Sequence, residues 1–320
     1  MRQYLARRLL LFIPTLFLAS LGIFTAMRVI PGDVAVIILA GEESIDMVSQ
    51  DQFDNLRREL GLSDPLPLQY GKWVWSMVNG EFGGRSLLDK EPLSEVVVRR
   101  GLVTMQLAVY TIIVSMLVAV PLGVIAAVKQ DKWPDYAIRI FTITGHALPN
   151  FWLALLALLF LVLYFSWSPP LRYQPVWVDP WTHFQKIIWP VLILSWGYSS
   201  NITRIARSSM LEVLRQDYIR TARSKGLRDS IVLLRHALRN AIIPVVTLGG
   251  LLIGGLLSGT VILEAVFGLP GIGQGIVQSA TLRDYPVIQS LAMLLVVIML
   301  SLNLIIDIVY AYIDPRITYS

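Results

Sequence analysis

The stretch VIQSLAMLLVVIMLSLNLIIDIVYAYI, residues 287–313, decides the fold class. A hydrocarbon core about 30 Å thick needs roughly 20 apolar residues in a helix. This run supplies them, with Asp307 as its one charged side chain. Working outward, the same test picks out segments 9–30, 102–128, 137–165, 186–206, 244–263 and 286–312. The expectation is an all-α integral membrane protein of about six transmembrane helices. The fourth segment is the weakest, because Trp189-Pro190 and Ser195 through Ser200 interrupt it.

Composition agrees. Only 15% of the 320 residues are charged and 55% are hydrophobic, with a mean hydropathy of +0.62. Soluble domains carry about 25% charged residues. There is no cysteine, which excludes disulfides, thiol catalysis and thiolate metal sites. His146, His183 and His236 are far apart and lack metal-ligand spacing. Arg2, Arg7 and Arg8 before Leu9 look like the basic region of a signal peptide. The apolar run that follows is too long for one and has no small-residue cleavage site, so it reads as a retained first helix.

The net charge of +5 sits beside the apolar spans. It points to topology and anionic lipid rather than to nucleic acid. Arg2, Arg7 and Arg8, then Lys129 and Lys132, then the basic segment 204–239 fall on one side if six spans are right. By the positive-inside rule that side is cytoplasmic, with both termini on it. The loop 166–185 has aromatics Trp167, Tyr173, Trp177 and Trp181, suited to an outer interface belt. After a first helix within 1–30, residues 31–95 read as a small external insertion, too long for a simple turn. Within it, Asp51 to Leu60 reads as a short amphipathic helix ended by Gly61. Pro65 and Pro67 mark a bend, and Gly80, Gly83 and Gly84 mark a loop. In the fifth span, Gly250 with Gly254 and Gly255 with Gly259 are four apart, spacing that lets helices approach closely within one chain.

The segment 204–244 is polar, basic and helical in pattern, yet lies between two spans. Asp217 is placed to cap a helix starting at Tyr218, and Gly226 to end it. A second helical piece runs from about Ser230 through Asn240, and Pro244 opens the next span. On composition the segment reads as a basic topology loop. It also has the form of a handle that a soluble partner could push.

Here the sequence resembles the permeases of type I ABC importers, in particular the dipeptide/oligopeptide (and nickel) permease family. That family's cytoplasmic signature is Glu-Ala-Ala, three residues, then Gly. This chain has Arg220-Thr221-Ala222-Arg223-Ser224-Lys225-Gly226, in which Ala222 and Gly226 match while Arg220 and Thr221 depart. The resemblance extends through Arg28-Val29-Ile30-Pro31-Gly32-Asp33, Leu148-Pro149-Asn150-Phe151-Trp152, Glu264 to Gly273, Arg283 to Pro286, and Asp314-Pro315-Arg316. It implies a permease domain over 96–312, a coupling segment over 204–243 and a short cytoplasmic tail at 313–320 in a bacterial inner-membrane protein. It further implies a second homologous permease, two ABC ATPase subunits and an extracytoplasmic substrate-binding protein as partners. ATP and magnesium would be used by the partner subunits, with no cofactor bound by this chain. Asp217, Tyr218, Thr221, Ala222, Lys225, Gly226, Arg235, His236 and Arg239 would belong to the coupling surface. The substrate class it implies is di- or oligopeptide, with nickel, oligosaccharide or another small solute as the alternative.

Other polar residues in or beside the spans are functional candidates. His146 and Asn150 flank Pro149 and either face the pore or satisfy backbone freed by the proline. Asn303 and Asp307 share a helix face; Asn303 is a pore candidate, and Asp307 is placed to pair with Arg204 or Arg207. Glu264, at the start of a Gly/Pro-rich loop, either lines a gate or caps the helix region. The glycine run from Gly268 to Gly275 lacks a following Gly-Lys-Ser/Thr, so nucleotide binding is rejected there. No Walker A sequence, Gly-x-Ser-x-Gly elbow or His-Glu-x-x-His pair occurs, so the chain is not expected to be an enzyme. A secondary transporter would need midplane carboxylates or inverted repeats, and the spans show neither.

Overall fold

The structure, a computed structural model, describes residues 2–29, 50–59 and 63–313. In chain order the helices are α1 (Arg2–Val29), α2 (Gln50–Glu59), α3 (Leu66–Val78), α4 (Leu93–Val128), α5 (Trp133–Ala147), α6 (Asn150–Phe165), α7 (Pro180–Leu214) and α8 (Asp217–Ser224). A short turn, Asp229–Ile231, and a π-helical segment, Val232–Ala237, then lead into α9 (Leu238–Phe267), α10 (Ile272–Leu282) and α11 (Tyr285–Ile313). Among the described residues, Leu10–Val29, Leu93–Val128 and Tyr285–Ile306 are single helices long and apolar enough to cross a membrane. The predicted fourth and fifth spans fall inside α7 and α9. The predicted third span is not one straight helix: α5 and α6 meet at a bend of 102°. Pro149 cannot donate a backbone hydrogen bond, and Leu148 before it is extended (φ −87°, ψ 132°), so the first helix ends there.

The chain divides into two compact units, Met1–Thr104 with Pro270–Ser301, and Met105–Leu269 with Leu302–Ser320. In the first, α1 leaves Leu10, Ile13, Phe17 and Leu18 exposed, as a lipid-facing stripe would be. Its other side meets α3: Ser20 and the Tyr70 hydroxyl lie 2.8 Å apart, and the Phe24 ring packs 5.4 Å from Tyr70. The expected bend at Pro65 and Pro67 is instead the start of α3, with proline in the first turn, where no helical hydrogen bond is lost. The helix expected from Asp51 is present as α2, while its Gly61 terminator lies outside the described residues. Gly80, Gly83 and Gly84 take φ of 79°, 92° and 97° in the following loop. Leu93, Val96, Val97, Ile272, Val287 and Leu291 form this unit's core. Asp284 fastens the loop to it, accepting from the Ser86 hydroxyl at 2.5 Å and the Leu87 N–H at 3.3 Å. The Thr104 hydroxyl accepts the Ile272 N–H at 2.8 Å, satisfying a backbone donor at the start of α10.

In the second unit, α7 begins at an Asp179 cap whose carboxylate accepts from the Trp181 and Thr182 N–H groups. Ser195, the first of the serines that interrupt the predicted fourth span, faces α4: it donates to Thr111 O at 3.1 Å, and Ser115 donates to Ser195 O at 3.3 Å. Reciprocal hydroxyl-to-carbonyl bonds of this kind hold helices together where water is absent. Glycines do the rest. Gly249 abuts Met116, Gly250 faces Ile306, Gly254 faces Asn303, and Gly259 faces Tyr198 and Leu194. The glycine spacing therefore serves packing within the chain. Pro244 does not open α9 but lies inside it, near its N-terminal end, because the preceding π-helical segment already carries the helix through.

Candidate functional site

The residues expected in a coupling segment come together at one end of the second unit. α8 is too short to be stable alone. It is held by its inward residues Ile219 and Ala222, three apart and both buried. They pack with Ala127, Met210, Val232, Ala237 and Ala241, so α4, α7, the π-helical segment and α9 all contribute to the seat. Burying Ile219 alone supplies about 2 kcal/mol. The Tyr218 hydroxyl accepts a 2.8 Å hydrogen bond from the Asn240 side chain, tying α8 to the start of α9.

The outward face is polar. Asp217, Arg220, Thr221, Arg223, Ser224 and Lys225 are exposed. Asp217 is not the cap that the sequence predicts. Gln216 is the N-cap, without a side-chain bond, and Asp217 occupies the first helical position, 3.6 Å from Arg220. A carboxylate there still suits the positive end of the helix dipole. Gly226 follows the C-cap Lys225 with φ of 76°, as expected of a helix-ending glycine. Nothing lies within 4 Å of where its Cβ would stand, so the glycine serves the turn and is not crowded by this chain. Arg235 and Arg239 are exposed and His236 half-buried on the π-helical segment and the first turn of α9. In that segment the Leu238 N–H donates to Leu233 O, five residues back. Such wide turns concentrate at functional sites.

The pore candidates are not gathered with these. His146 and Asn150 stand at the α5–α6 bend, lining a cavity of about 340 Å³ together with Gly197, Tyr198 and Asn201. Asn303 is exposed beside Gly254. Glu264 is fully buried in the last turn of α9, where its carbonyl accepts the Leu269 N–H at 2.8 Å; it neither starts a loop nor lines an open surface. The side chain of Asp307 lies outside the described residues. Its expected partner Arg207 is engaged elsewhere, with Asp135 at 2.8 Å, and Arg204 bonds Asn201 at 2.9 Å.

Sequence reasoning missed Asp135. It is fully buried and accepts from both Arg207 and Arg139, joining the start of α5 to α7. Its signal was an acid at the opening of a span, four residues after Asp131 and behind Lys129 and Lys132. Among the described residues outside the spans, the carboxyls of Glu91 and Asp179 sit below their usual range. Glu91 is lowered by the Arg99 guanidinium, which donates to both of its oxygens, and Asp179 by the Thr182 hydroxyl and the backbone N–H groups it caps.

Residues 119–319 match the family described as binding-protein-dependent transport system inner membrane component, and residues 1–108 match the N-terminal component of the same systems. The chain belongs to this family. This permease is 36% identical over 321 residues to the oligopeptide transport system permease protein AppB of Bacillus subtilis, the match covering all of both chains. It is 37% identical over 320 residues to the glutathione transport system permease protein GsiC of Salmonella paratyphi A, again over all of both. Its fold is that of a type I ABC importer permease. The inward-facing MetNI methionine ABC transporter superposes with a TM-score of 0.56 at 15% identity, over 70% of this chain and 99% of that one. The protein is thus a multi-pass inner-membrane permease subunit of an ABC importer.

Proposed function

We propose that this permease carries short peptides inward, paired with a second homologous permease and driven by two ATPase subunits that use ATP and magnesium. An extracytoplasmic binding protein delivers the substrate. In this reading both termini and α8 are cytoplasmic, residues 31–95 form the external insertion, and 96–312 form the permease domain. The full-length similarity to relatives named for oligopeptides and glutathione supports the substrate class. The observation that carries the coupling role is α8 itself, with Ile219 and Ala222 seated on several helix ends while its polar face stays free. A partner that moves α8 acts on α4, α7 and α9 through that seat. Only contacts that differ between two partner states can shift such an equilibrium.

The chain has no cysteine, which makes the test direct. Single Thr221→Cys and Lys225→Cys variants are co-purified with their native partners and treated with a short thiol-to-amine cross-linker. The expected product joins this chain to a Walker-containing subunit, with a yield that changes on adding ATP and magnesium. Proteoliposomes of the same complex, with its binding protein, should accumulate labelled tripeptide or glutathione only with ATP. Uptake of nickel but no peptide would overturn the substrate class, and absence of any cross-link in a transport-competent complex would overturn the docking.

A further inference from the structure

The first unit holds a cavity of about 300 Å³ at the Arg28 end of α1, walled by α1, α3, the 81–84 loop and the start of α11. Three of its lining residues carry a buried nitrogen with no partner among the described residues: Arg28 Nε, Trp73 Nε1 and Gln289 Nε2. Trp73 and Gln289 are 8% and 6% exposed, so solvent does not reach them freely. Leaving a buried donor unmatched is costly, and three in one cavity form a pattern rather than an accident. All three are donors, and one belongs to a cation. Their chemical complement is a group that only accepts and carries negative charge.

The other polar groups there are accounted for. Arg28 Nη2 donates to Gln69 Oε1 at 2.6 Å, and its guanidinium lies 5.0 Å from the Phe24 ring centroid. Lys72 pairs with Asp64 at 2.6 Å, and the Ser76 hydroxyl donates to Trp73 O and accepts the Gly83 N–H. Glu81 is the remaining carboxylate in the wall and is exposed. Gly83 has φ of 92°, and its Cβ position is 3.5 Å from Trp73 Cδ1, so the loop closes against the indole.

Position names the occupant. Arg28 is in the last turn of the apolar α1. α3, on the cavity's other side, exposes Leu66, Leu68, Trp75 and Val78, the surface of a helix lying at a membrane interface. An arginine and tryptophans at the end of a span mark the head-group layer. We propose that this cavity is a phospholipid site, holding a head-group phosphate on the Arg28, Trp73 and Gln289 donors.

The test uses the full complex extracted in mild detergent and exchanged into micelles doped with phosphatidylglycerol, with bound lipid counted by native mass spectrometry. Trp73→Phe keeps the ring and removes the N–H. Gln289→Leu and Arg28→Met remove the other donors without opening a hole. Each is expected to weaken retention of one lipid per chain roughly tenfold, the worth of one hydrogen bond to a charged group. Retention unchanged in Trp73→Phe and Gln289→Leu would overturn the site. Displacement of the lipid by inorganic phosphate at comparable concentration would show a site for free oxyanions and overturn the head-group assignment.

Discussion

Arg207 grips Asp135 with two hydrogen bonds of 2.8 Å, Nε to one carboxylate oxygen and Nη2 to the other. Arg139, one turn along α5, donates to the same carboxylate at 2.6 Å and 3.0 Å. The Asp135 side chain is wholly buried. Removing one member of a buried pair strands the others, at a cost of about 3 kcal/mol. Asp135→Ala should therefore lower the thermal unfolding temperature of the detergent-solubilised chain markedly. Asp135→Asn should do nearly as much, because it leaves two guanidiniums facing a neutral amide. An unchanged melting curve for both would mean that the triad contributes nothing.

Gly226 stands at φ 76° with open space around its Cβ position. The penalty for a side chain there is conformational, about 1–2 kcal/mol, and smaller for Asn, which tolerates the left-handed region. Membrane insertion should survive in Gly226→Ala, Gly226→Asn and Gly226→Trp. Uptake should fall in the order Asn, Ala, Trp, because only a docked partner can object to bulk at an open position. Normal uptake by Gly226→Trp would count against docking at this turn.

Gly145 presents the opposite case. A Cβ there would lie 2.5 Å from Trp196 Cδ1, and Trp196 is itself fixed by stacking 5.3 Å from Phe141 and donating to the Phe141 carbonyl at 3.0 Å. Gly145→Ala should cost about 1–3 kcal/mol by overpacking. Pairing it with Trp196→Leu should restore much of the loss, which a double-mutant cycle on melting temperatures would read.

Glu91 gives a pH dependence with a definite sign. Its folded pKa is depressed below 4.5, chiefly by hydrogen bonding from Arg99. The contribution is therefore full above about pH 4.5 and is lost as pH falls through the lower folded value. The stability gap between the native chain and Glu91→Gln should be constant near neutrality and close on acidification below that point. A gap that widens in acid would contradict the pairing.

Much of this was legible in the residues, for identifiable reasons. The apolar runs at 9–30, 102–128 and 286–312 are long enough that only a span can absorb them, and α1, α4 and α11 follow. The amphipathic α2 and the glycine at the end of α8 rest on local rules that neighbours do not override. What failed depended on neighbours. Pro244 reads as a boundary until the π-helical segment before it is known, and Asp217 reads as a cap until Gln216 is seen to stand there. The α5–α6 bend required knowing that the chain turns by 102° at Pro149 rather than passing it with a kink. The sequence suggests Asp307 as a partner for Arg207, and only folding brings Asp135 to it.

The wide turn at Val232–Ala237 changes what a small push can accomplish. α9 is 30 residues long, hence about 45 Å from end to end. Its base grows directly out of that turn, beside the Ile219 and Ala222 seat. A rod pivoting at its foot by about 5° sweeps its far end through about 4 Å, more than the width of a water molecule. In the proposed coupling, leverage of that kind would let an ATPase subunit in the aqueous phase do work on the opposite face without itself entering the bilayer.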